Sequence, residues 1–360
     1  MATPLHRRRF SGDGGQIACS SQPAPLIAIM IISRTPFRIS LFGGGTDYPA
    51  WFQENGGAVL GTAINKYSHI SVRKLPPFFE HRFRIAYSKL EYVREIKEII
   101  HPVVREVLAE MEPTGGLEIH SDSDLPARSG LGSSSAFTVG FLHALHALHG
   151  RMVTKLGLGR EAIRVEQELL KEAVGCQDQL WAAFGGFNHI IFSPAGDFEI
   201  NPIILARDRR SELMQSIMLF FTGFSRNASD IAKDQIANIP CRTQQLHGIQ
   251  TIVGDALKIL QEDANPIRSL GELLHESWCL KRELAESVST PTLDEIYAAA
   301  RNAGAIGGKL LGAGGGGFMI FIVEPDRRQQ VRERLADLIH VPVDIDYDGS
   351  KIVLYQPDGL

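Results

Sequence analysis

The stretch DLPARSGLGSSSAFTVGFLHALHALHG, residues 124–150, decides how the rest of the chain is interpreted. It begins as a polar turn with two glycines, Gly130 and Gly132, and three serines follow directly at 133–135. Apolar side chains then recur at helical spacing up to Gly150, where a C-terminal cap is expected. A glycine loop that opens into a helix directs unpaired backbone N–H groups and the positive helix end at one point. The pattern therefore predicts an anion site, and an ordinary serine-capped core helix is the alternative.

The length and composition of the chain limit which classes of protein it can belong to. A chain of 360 residues, with 44% hydrophobic and 22% charged residues, is typical of a soluble globular protein with two domains. Its net charge of −4 provides no basic field, so nucleic acid is not expected as a partner. The four cysteines lack CxxC spacing, which favours free thiols in a reducing compartment, and no apolar run reaches transmembrane length. We expect a cytoplasmic protein, a monomer or homodimer, with no membrane partner.

The chain divides into an atypical first segment and two expected domains. Residues 1–29 contain three consecutive arginines and a Gly/Pro-rich patch without periodicity. We interpret them as a disordered extension, or as a start assigned too early with Met30 as the true initiator. A strand-rich pattern occupies residues 30–205, and a shift to Asp and Arg leads into a second domain at 206–360. Helices packed on a small antiparallel sheet are expected there, so the predicted fold class is α+β.

Periodicity predicts the individual elements of both halves. The predicted strands cover residues 34–42, 58–64, 68–73, 82–87, 117–120, 188–192, 216–221, 318–323, 341–345 and 352–355. Besides the helix after the glycine loop, the predicted helices cover residues 102–111, 159–173, 249–261, 268–287, 293–303 and 326–338.

The helix predicted over residues 159–173 singles out one acid. Its apolar side chains form one face, and its charged side chains form the opposite face. Glu166 falls near the middle of the apolar face, where a carboxylate is unfavourable unless it is paired or binds a metal. Glu168 is predicted to point to water. Glu166 is therefore the candidate functional acid, and a glutamate at the rim of the core is the alternative.

Two aspartates are further candidates. Asp47 follows a loop of three glycines, residues 43–45, whose backbone can approach a ligand closely. A solvated turn aspartate is the alternative there. Asp178 follows Gly175, which is expected to end the preceding helix, and it leads into an apolar segment. It is a plausible buried acid, although capping a helix is the commoner use of such a position.

Three other patterns do not carry the chemistry that they suggest. Residues 312–317 satisfy G-x-G-x-x-G, but a strand follows them where a dinucleotide-binding motif needs a helix. Residues 129–135 lack the Gly-Lys-Ser/Thr ending of a P-loop. Three histidines at i, i+3 and i+6 drift around their helix, so we expect no metal site at His143, His146 and His149.

Three motifs, in order, resemble the GHMP kinase superfamily. They are PFRISLFGGGTDY at 36–48, PARSGLGSSSA at 126–136 and the glycine run KLLGAGGGG at 309–317, within a similarity over roughly residues 30–358. The resemblance implies a ribosomal protein S5 domain 2-like N-terminal domain and a ferredoxin-like C-terminal domain. It also implies ATP-dependent phosphorylation of a sugar at its anomeric hydroxyl.

Several segments are most similar to the branch of that family that acts on a heptose 7-phosphate. They are FGGGTDYP, DLPARSGLGSSS, GCQDQ, FGGFN and ESWCLKRELAESVS/GGKLLGAGGGGF. The Glu-His that galactokinases carry before Thr-Asp-Tyr is absent here, which argues against a plain galactokinase. A kinase of an unphosphorylated sugar, of the L-fucose, galactose or arabinose type, and a catalytically silent sugar or ATP sensor are the alternatives.

The resemblance also implies roles for single residues. Asp178 would accept the proton of the sugar hydroxyl, with Arg38 countering the developing charge, and Ser134 and Glu166 would hold Mg²⁺. The residues expected at the ATP phosphates are Gly130, Leu131, Gly132, Ser133, Ser134 and Ser135. Those expected at the sugar are Asp47, Gly44, Gly45, Gly314 and Gly315. The candidates for binding a distal substrate phosphate are Arg128, Arg226 and Lys281.

Overall fold

Two long strands at the start of the described chain form the centre of the first sheet. The computed structural model describes residues 30–223, 228–263 and 265–357. In it, β1 is Met30–Phe42 and β2 is Gly57–Leu75. The two strands pair antiparallel along nearly their whole length. This continuous pairing makes β2 one strand of 19 residues where the sequence pattern predicted two short ones.

The other elements follow in chain order. The remaining strands are β3 (Phe83–Ala86), β4 (Leu90–Val93), β5 (Gly116–Ser123), β6 (Phe187–Phe192), β7 (Phe198–Pro202), β8 (Ile217–Phe221), β9 (Ala305–Leu310), β10 (Phe318–Val323), β11 (Ile339–Val341) and β12 (Lys351–Gln356). The helices are α1 (Pro49–Asn55), α2 (Pro102–Met111), α3 (Ser133–Leu148), α4 (Lys155–Arg164), α5 (Gln177–Phe184), α6 (Arg207–Ser216), α7 (Ala228–Asn238), α8 (Thr243–Glu262), α9 (Pro266–Arg282), α10 (Pro291–Asn302) and α11 (Arg328–Arg334).

The first sheet has the strand order β12-β1-β2-β5-β3-β4, and β6 pairs with β2 and carries β7. Its pairs are antiparallel except for β3 with β5. The last strand of the chain, β12, covers the free edge of β1 and so belongs to this sheet. The strands before residue 205 therefore belong to the first sheet, and those after it belong to the second sheet, except that β12 returns to the first.

The second sheet is antiparallel, with the order β11-β8-β10-β9. Numbered along the chain, this order is 4-1-3-2. Helices lie between β8 and β9, and α11 connects β10 to β11. A four-stranded sheet with helices at these two connections is the ferredoxin-like arrangement. The predicted α+β fold with two domains is confirmed.

One hydrophobic cluster contains side chains of both sheets, among them Phe37 of β1 and Phe318 of β10. The helix α3 packs on the first sheet, where Ser33 Oγ donates a hydrogen bond of 2.7 Å to the carbonyl oxygen of Gly140. A Cβ on Gly140 would lie 2.8 Å from Thr35 Oγ1, so only glycine allows the helix to approach β1 this closely. This packing holds the N-terminal end of α3 at the seam between the domains.

The prediction of one helix over residues 159–173 was wrong about where the helix begins and ends. It begins earlier, at Lys155, because Thr154 caps it by accepting a 3.0 Å hydrogen bond from the Gly157 N–H. It then passes into a π-helical turn, Val165–Leu169, and ends. Glu166 lies in this wider turn and is buried.

Other predicted boundaries were also wrong. A helix was predicted over residues 268–287, but α9 ends at Arg282. A helix was also predicted over residues 326–338, but α11 covers only Arg328–Arg334. The pattern missed α1, α5, α6, α7, β4, β7 and β9. No helix of the described part of the chain is long and apolar enough to cross a bilayer. The segment 1–29 and Arg226 lie outside the described residues.

Candidate active site

A cavity of about 860 Å³ lies at the seam and is lined by side chains from both domains. The predicted site residues that line it are Arg38, Gly44, Gly45, Asp47, Arg128, Gly130, Gly132, Ser133, Ser134, Ser135, Glu166, Asp178 and Lys281. Leu131, Gly314 and Gly315 do not line it.

The loop before α3 presents backbone donors to this cavity. Gly130 and Gly132 have φ values of 82° and 74°, a left-handed conformation that glycine adopts without strain. Gly132 is the N-cap of α3, and the first helical amide with an intrahelical acceptor is that of Ala136, which bonds to the Gly132 carbonyl oxygen at 2.9 Å. The three serine amides before it have no such acceptor. Together with the helix dipole they form a site suited to a phosphate group.

Leu131 supports this loop from behind. It is fully buried, and its carbonyl oxygen accepts a 3.0 Å hydrogen bond from the Arg38 N–H. The loop is thereby held against β1, and the side chain of Leu131 belongs to the core.

The glycine run after β9 packs against the phosphate loop. The Phe318 N–H donates to the Ser129 carbonyl oxygen at 3.1 Å, and a Cβ on Gly312 would lie 2.6 Å from the Cα of Gly130. Gly314 and Gly315 do not line the cavity, and the Gly315 N–H donates to the Val288 carbonyl oxygen at 3.0 Å. The run therefore supports the loop, and these two glycines lie outside the cavity where the sugar was expected.

Arg38 and Asp178 form a two-point ion pair beside the phosphate loop. Arg38 Nε and Nη2 donate to the two carboxylate oxygens of Asp178 at 2.7 and 2.6 Å. Arg38 Nη1 also donates to the Gly130 carbonyl oxygen at 2.6 Å. Asp178 lies in the first turn of α5, and a Cβ on Gly132 would lie 3.4 Å from its Oδ2 atom. The pair brings an oriented carboxylate to the end of α3.

Glu166 is buried with one satisfied and one unsatisfied oxygen. Its Oε2 atom accepts hydrogen bonds from Ser135 Oγ at 2.9 Å and from Gln179 Nε2 at 2.5 Å. Within the described part of the chain, its Oε1 atom has no hydrogen-bond partner. Burial raises the pKa of Glu166 to about 7, although the hydrogen bonds that it accepts act in the opposite direction.

The unsatisfied oxygen fits a cation. A buried carboxylate oxygen without a donor needs another partner, and oxygen ligands are those that Mg²⁺ prefers. Ser134 is exposed on the cavity, whereas the serine bonded to Glu166 is Ser135. Among the described residues no cluster of three or more His, Cys, Asp or Glu side chains could hold a metal ion. Ser134 and Glu166 could therefore hold Mg²⁺ only with further ligands, such as phosphate oxygens and water.

Asp47 is positioned by the backbone around it. Its Oδ1 atom accepts a 3.0 Å hydrogen bond from the Gly45 N–H, and its Oδ2 atom accepts one of 3.4 Å from the Gln177 N–H. Burial raises its pKa above the usual value for an aspartate. With Gly44 and Gly45 it forms one wall of the cavity, where a ligand hydroxyl could donate to it.

Sequence reasoning missed several residues of the cavity. Lys309, Gln179 and Glu172 line it, and no role had been predicted for them. Lys309 could have been suspected because it is a single cation in a strand that is otherwise apolar. Gln179 carries no such signal, since its partner Glu166 is 13 residues away. Arg128 is exposed at the cavity with φ 58°, and Lys281 is buried within it.

Comparisons with known proteins agree with this geometry. Residues 95–186 match the GHMP kinases N terminal domain, and residues 256–340 match the GHMP kinases C terminal domain. A D-glycero-alpha-D-manno-heptose 7-phosphate kinase of Campylobacter jejuni is 30% identical over 318 residues, which cover 85% of this chain and 93% of that protein. A galactokinase of Thermococcus kodakarensis is 24% identical, with coverage of 84% and 92%.

A solved structure has the same fold. It is that of a D-glycero-D-manno-heptose 1-phosphate kinase from Bacteroides thetaiotaomicron, with a TM-score of 0.73, 25% identity and coverage of 90% of this chain and 99% of that one. Both domain matches, the relatives and the cavity thus agree on one kind of enzyme. The chain belongs to the GHMP kinase family and is a sugar kinase, a phosphotransferase with a hydroxyl group as acceptor.

Proposed function

We propose that the protein uses ATP to phosphorylate the anomeric hydroxyl of D-glycero-D-manno-heptose 7-phosphate, forming the 1,7-bisphosphate. One observation supports phosphoryl transfer as the reaction type. The Arg38–Asp178 pair, the free amides at the start of α3 and the unsatisfied oxygen of Glu166 all meet in one cavity. Phosphoryl transfer depends mainly on positioning and on charge stabilisation, and these groups supply both.

Asp178 is the proposed general base. Its carboxylate accepts the proton of the anomeric hydroxyl as that oxygen attacks the terminal phosphorus of ATP. The bond between this phosphorus and the bridging oxygen breaks, and ADP leaves. Arg38 orients the carboxylate through two hydrogen bonds and stabilises the negative charge that develops nearby. A positioned base contributes about 10²–10⁴-fold to such a reaction.

The amides of Ser133, Ser134 and Ser135 bind the phosphate chain of ATP. Ser134 and Glu166 hold Mg²⁺, with Ser135 and Gln179 fixing the orientation of Glu166. When bound, Mg²⁺ neutralises charge on the phosphate oxygens.

One group of residues that line the cavity suits the nucleoside. It consists of aromatic and apolar side chains from the segment after β3 and from α2 and α3. The principal ones are Tyr87, Ile100, Pro102, Val103 and Phe137. The flat adenine base of ATP can pack against aromatic and apolar side chains of this kind.

The substrate assignment has separate support. The Campylobacter relative is a heptose 7-phosphate kinase by name and matches along most of both chains. Asp47 also lines the cavity and accepts hydrogen bonds from sugar hydroxyls in this proposal. The alternative of an unphosphorylated sugar rests on the galactokinase relative, which is less similar.

A coupled assay of ADP release tests the proposal. The purified protein is given ATP, Mg²⁺ and a panel containing heptose 7-phosphate, free heptose, L-fucose, galactose and arabinose. We expect turnover with heptose 7-phosphate well above that with any free sugar. Turnover with free sugars alone would refute the substrate, and no turnover with any member would favour a silent sensor.

A further inference from the structure

Two lysines that the reaction scheme does not use are buried in the cavity. Lys281, in the last turn of α9, is 6% exposed, and its Nζ donates to the Gly312 carbonyl oxygen. Lys309, on β9, is 2% exposed, and its Nζ donates to the Leu41 carbonyl oxygen at 3.0 Å. Among the described residues, neither ammonium group forms an ion pair with a carboxylate. Lysines are rarely buried in this way without an anionic partner.

The charges around them leave a positive excess. Arg38 is already paired with Asp178, and Asp47 is the other carboxylate close enough to act on both lysines. Three cations therefore face two carboxylates. Burial and the nearby Arg38 lower the pKa of Lys281 to about 8, and burial together with Lys281 lowers the pKa of Lys309. A bound anion would remove the excess and favour the charged form of both lysines.

Both lysines lie close enough to Asp47, the acid proposed to bind the sugar, to interact with its charge, and Lys281 also interacts with that of Asp178. Leu41, which accepts from Lys309, directly precedes the turn that carries Gly44, Gly45 and Asp47. An ammonium group has three donors, and each lysine uses one on a carbonyl oxygen. The remaining donors are available to a ligand. Arg128 is less suited to this role because it is exposed beside the phosphate loop.

We propose that Lys281, supported by Lys309, binds the phosphate group that the sugar already carries and so selects a phosphorylated sugar over a free one. The inference rests on the proposed function and adds the residue that determines its substrate class. Lys281 acts on the acceptor only, and the amides of α3 hold the phosphates of ATP.

The test is direct binding to the full-length protein without turnover. Calorimetry measures the affinities for heptose 7-phosphate, for free heptose and for ADP, each alone. The variants are Lys281→Asn, Lys281→Arg and, as a matched control, Lys258→Met, which removes an exposed lysine of α8. Thermal unfolding shows that each variant is folded.

We expect Lys281→Asn to weaken binding of the 7-phosphate roughly ten- to hundredfold, the loss typical of a hydrogen bond to a charged group. Binding of free heptose and of ADP should change less than twofold. Lys281→Arg should keep most of the affinity because it keeps the charge, and Lys258→Met should match the wild type.

Three results would overturn the inference. Equal losses for the phosphorylated and the free sugar would show a general role in sugar binding. A loss mainly in ADP affinity would assign Lys281 to the nucleotide phosphates. If the wild type binds the 7-phosphate more tightly than free heptose, Lys281→Asn loses this preference, and neither sugar is phosphorylated, the proposed function fails and the inference stands. If it turns over the 7-phosphate and Lys281→Asn binds it normally, only the inference fails.

Discussion

At the scale of single residues, Glu166 is subject to opposing effects. Burial favours its neutral form, whereas the hydrogen bonds from Ser135 and Gln179 favour the carboxylate. The result is a pKa of about 7, and a carboxylate whose second oxygen has no hydrogen-bond partner among the residues that the structure describes. A cation at that oxygen would favour the ionised form, so metal binding and loss of the proton are linked at this residue.

The first prediction concerns stability against pH. Since burial raises the pKa of Glu166 in the folded state above its ordinary value of 4.5, protonation of Glu166 favours folding. Without metal or nucleotide, the wild type should lose stability relative to Glu166→Gln as pH rises from about 4.5 to about 7, by up to about 3 kcal/mol. Urea denaturation over this pH range measures the difference.

The exposed neighbour provides the control for this measurement. Glu168→Gln should keep the wild-type pH profile, because Glu168 is exposed in the same turn. If Glu166→Gln and the wild type show parallel pH profiles, Glu166 does not carry the shifted pKa.

The second prediction concerns the proposed base. Asp178→Asn keeps the shape of the side chain but cannot accept the proton, so kcat should fall about 10²–10⁴-fold. ADP affinity should remain near that of the wild type, because the amides of α3 are unchanged. The coupled assay and calorimetry measure these two quantities. Asp197→Asn, at an exposed aspartate, should be fully active, and near-normal kcat in Asp178→Asn would exclude it as the base.

At the scale of elements, the segment between the π-helical turn and α5 positions both walls of the cavity. Gly175 ends this segment, and its backbone lies against Asp47, whose carbonyl oxygen accepts from the Cys176 N–H at 3.1 Å. A Cβ on Gly175 would lie 1.8 Å from Asp47 Oδ2. Only glycine therefore allows α5, with Asp178, to start this close to the wall that carries Asp47.

The third prediction follows from this contact. Gly175→Ala should displace Asp47 and raise the KM for the sugar about tenfold or more, with the KM for ATP little changed. The control is Gly254→Ala in α8, where a Cβ meets nothing within 4 Å. That change should raise the free energy of unfolding by about 0.5–1 kcal/mol. A normal KM for the sugar in Gly175→Ala would show that Asp47 does not bind it.

At the scale of the whole molecule, the two domains are joined by more than their connecting segment. The cluster that contains Phe37 and Phe318 spans both sheets, and β12 returns to pair with β1. Since β1 also carries Arg38, the end of the chain supports the strand on which the proposed site is built.

The fourth prediction concerns this closing strand. Deleting residues 351–360 exposes the edge of β1, and it should lower the melting temperature by roughly 5–10 °C or prevent soluble folding. Differential scanning calorimetry measures the change. Deleting only residues 358–360, beyond β12, is the control and should have little effect. Equal melting temperatures for the two deletions would show that β12 adds nothing to stability.

Several features of this protein could be predicted from the sequence alone, because each of them depends on residues that are neighbours in the chain. The glycines before α3 require a backbone that other residues rarely adopt, and the apolar spacing after them requires a buried helix. The phosphate loop, the α+β class and the choice of Glu166 over Glu168 as the buried acid could therefore be predicted from neighbouring residues. The site roles of these residues remain predictions.

Only the tertiary structure decided which distant groups meet. Arg38 and Asp178 are 140 residues apart, Ser135 and Glu166 are 31 apart, and Lys281 and Gly312 are also 31 apart. The π-helical turn and the return of β12 to β1 likewise depend on packing against the rest of the fold. No local pattern encodes such pairs, because the free energy of each contact is gained only when the whole chain brings its partners together.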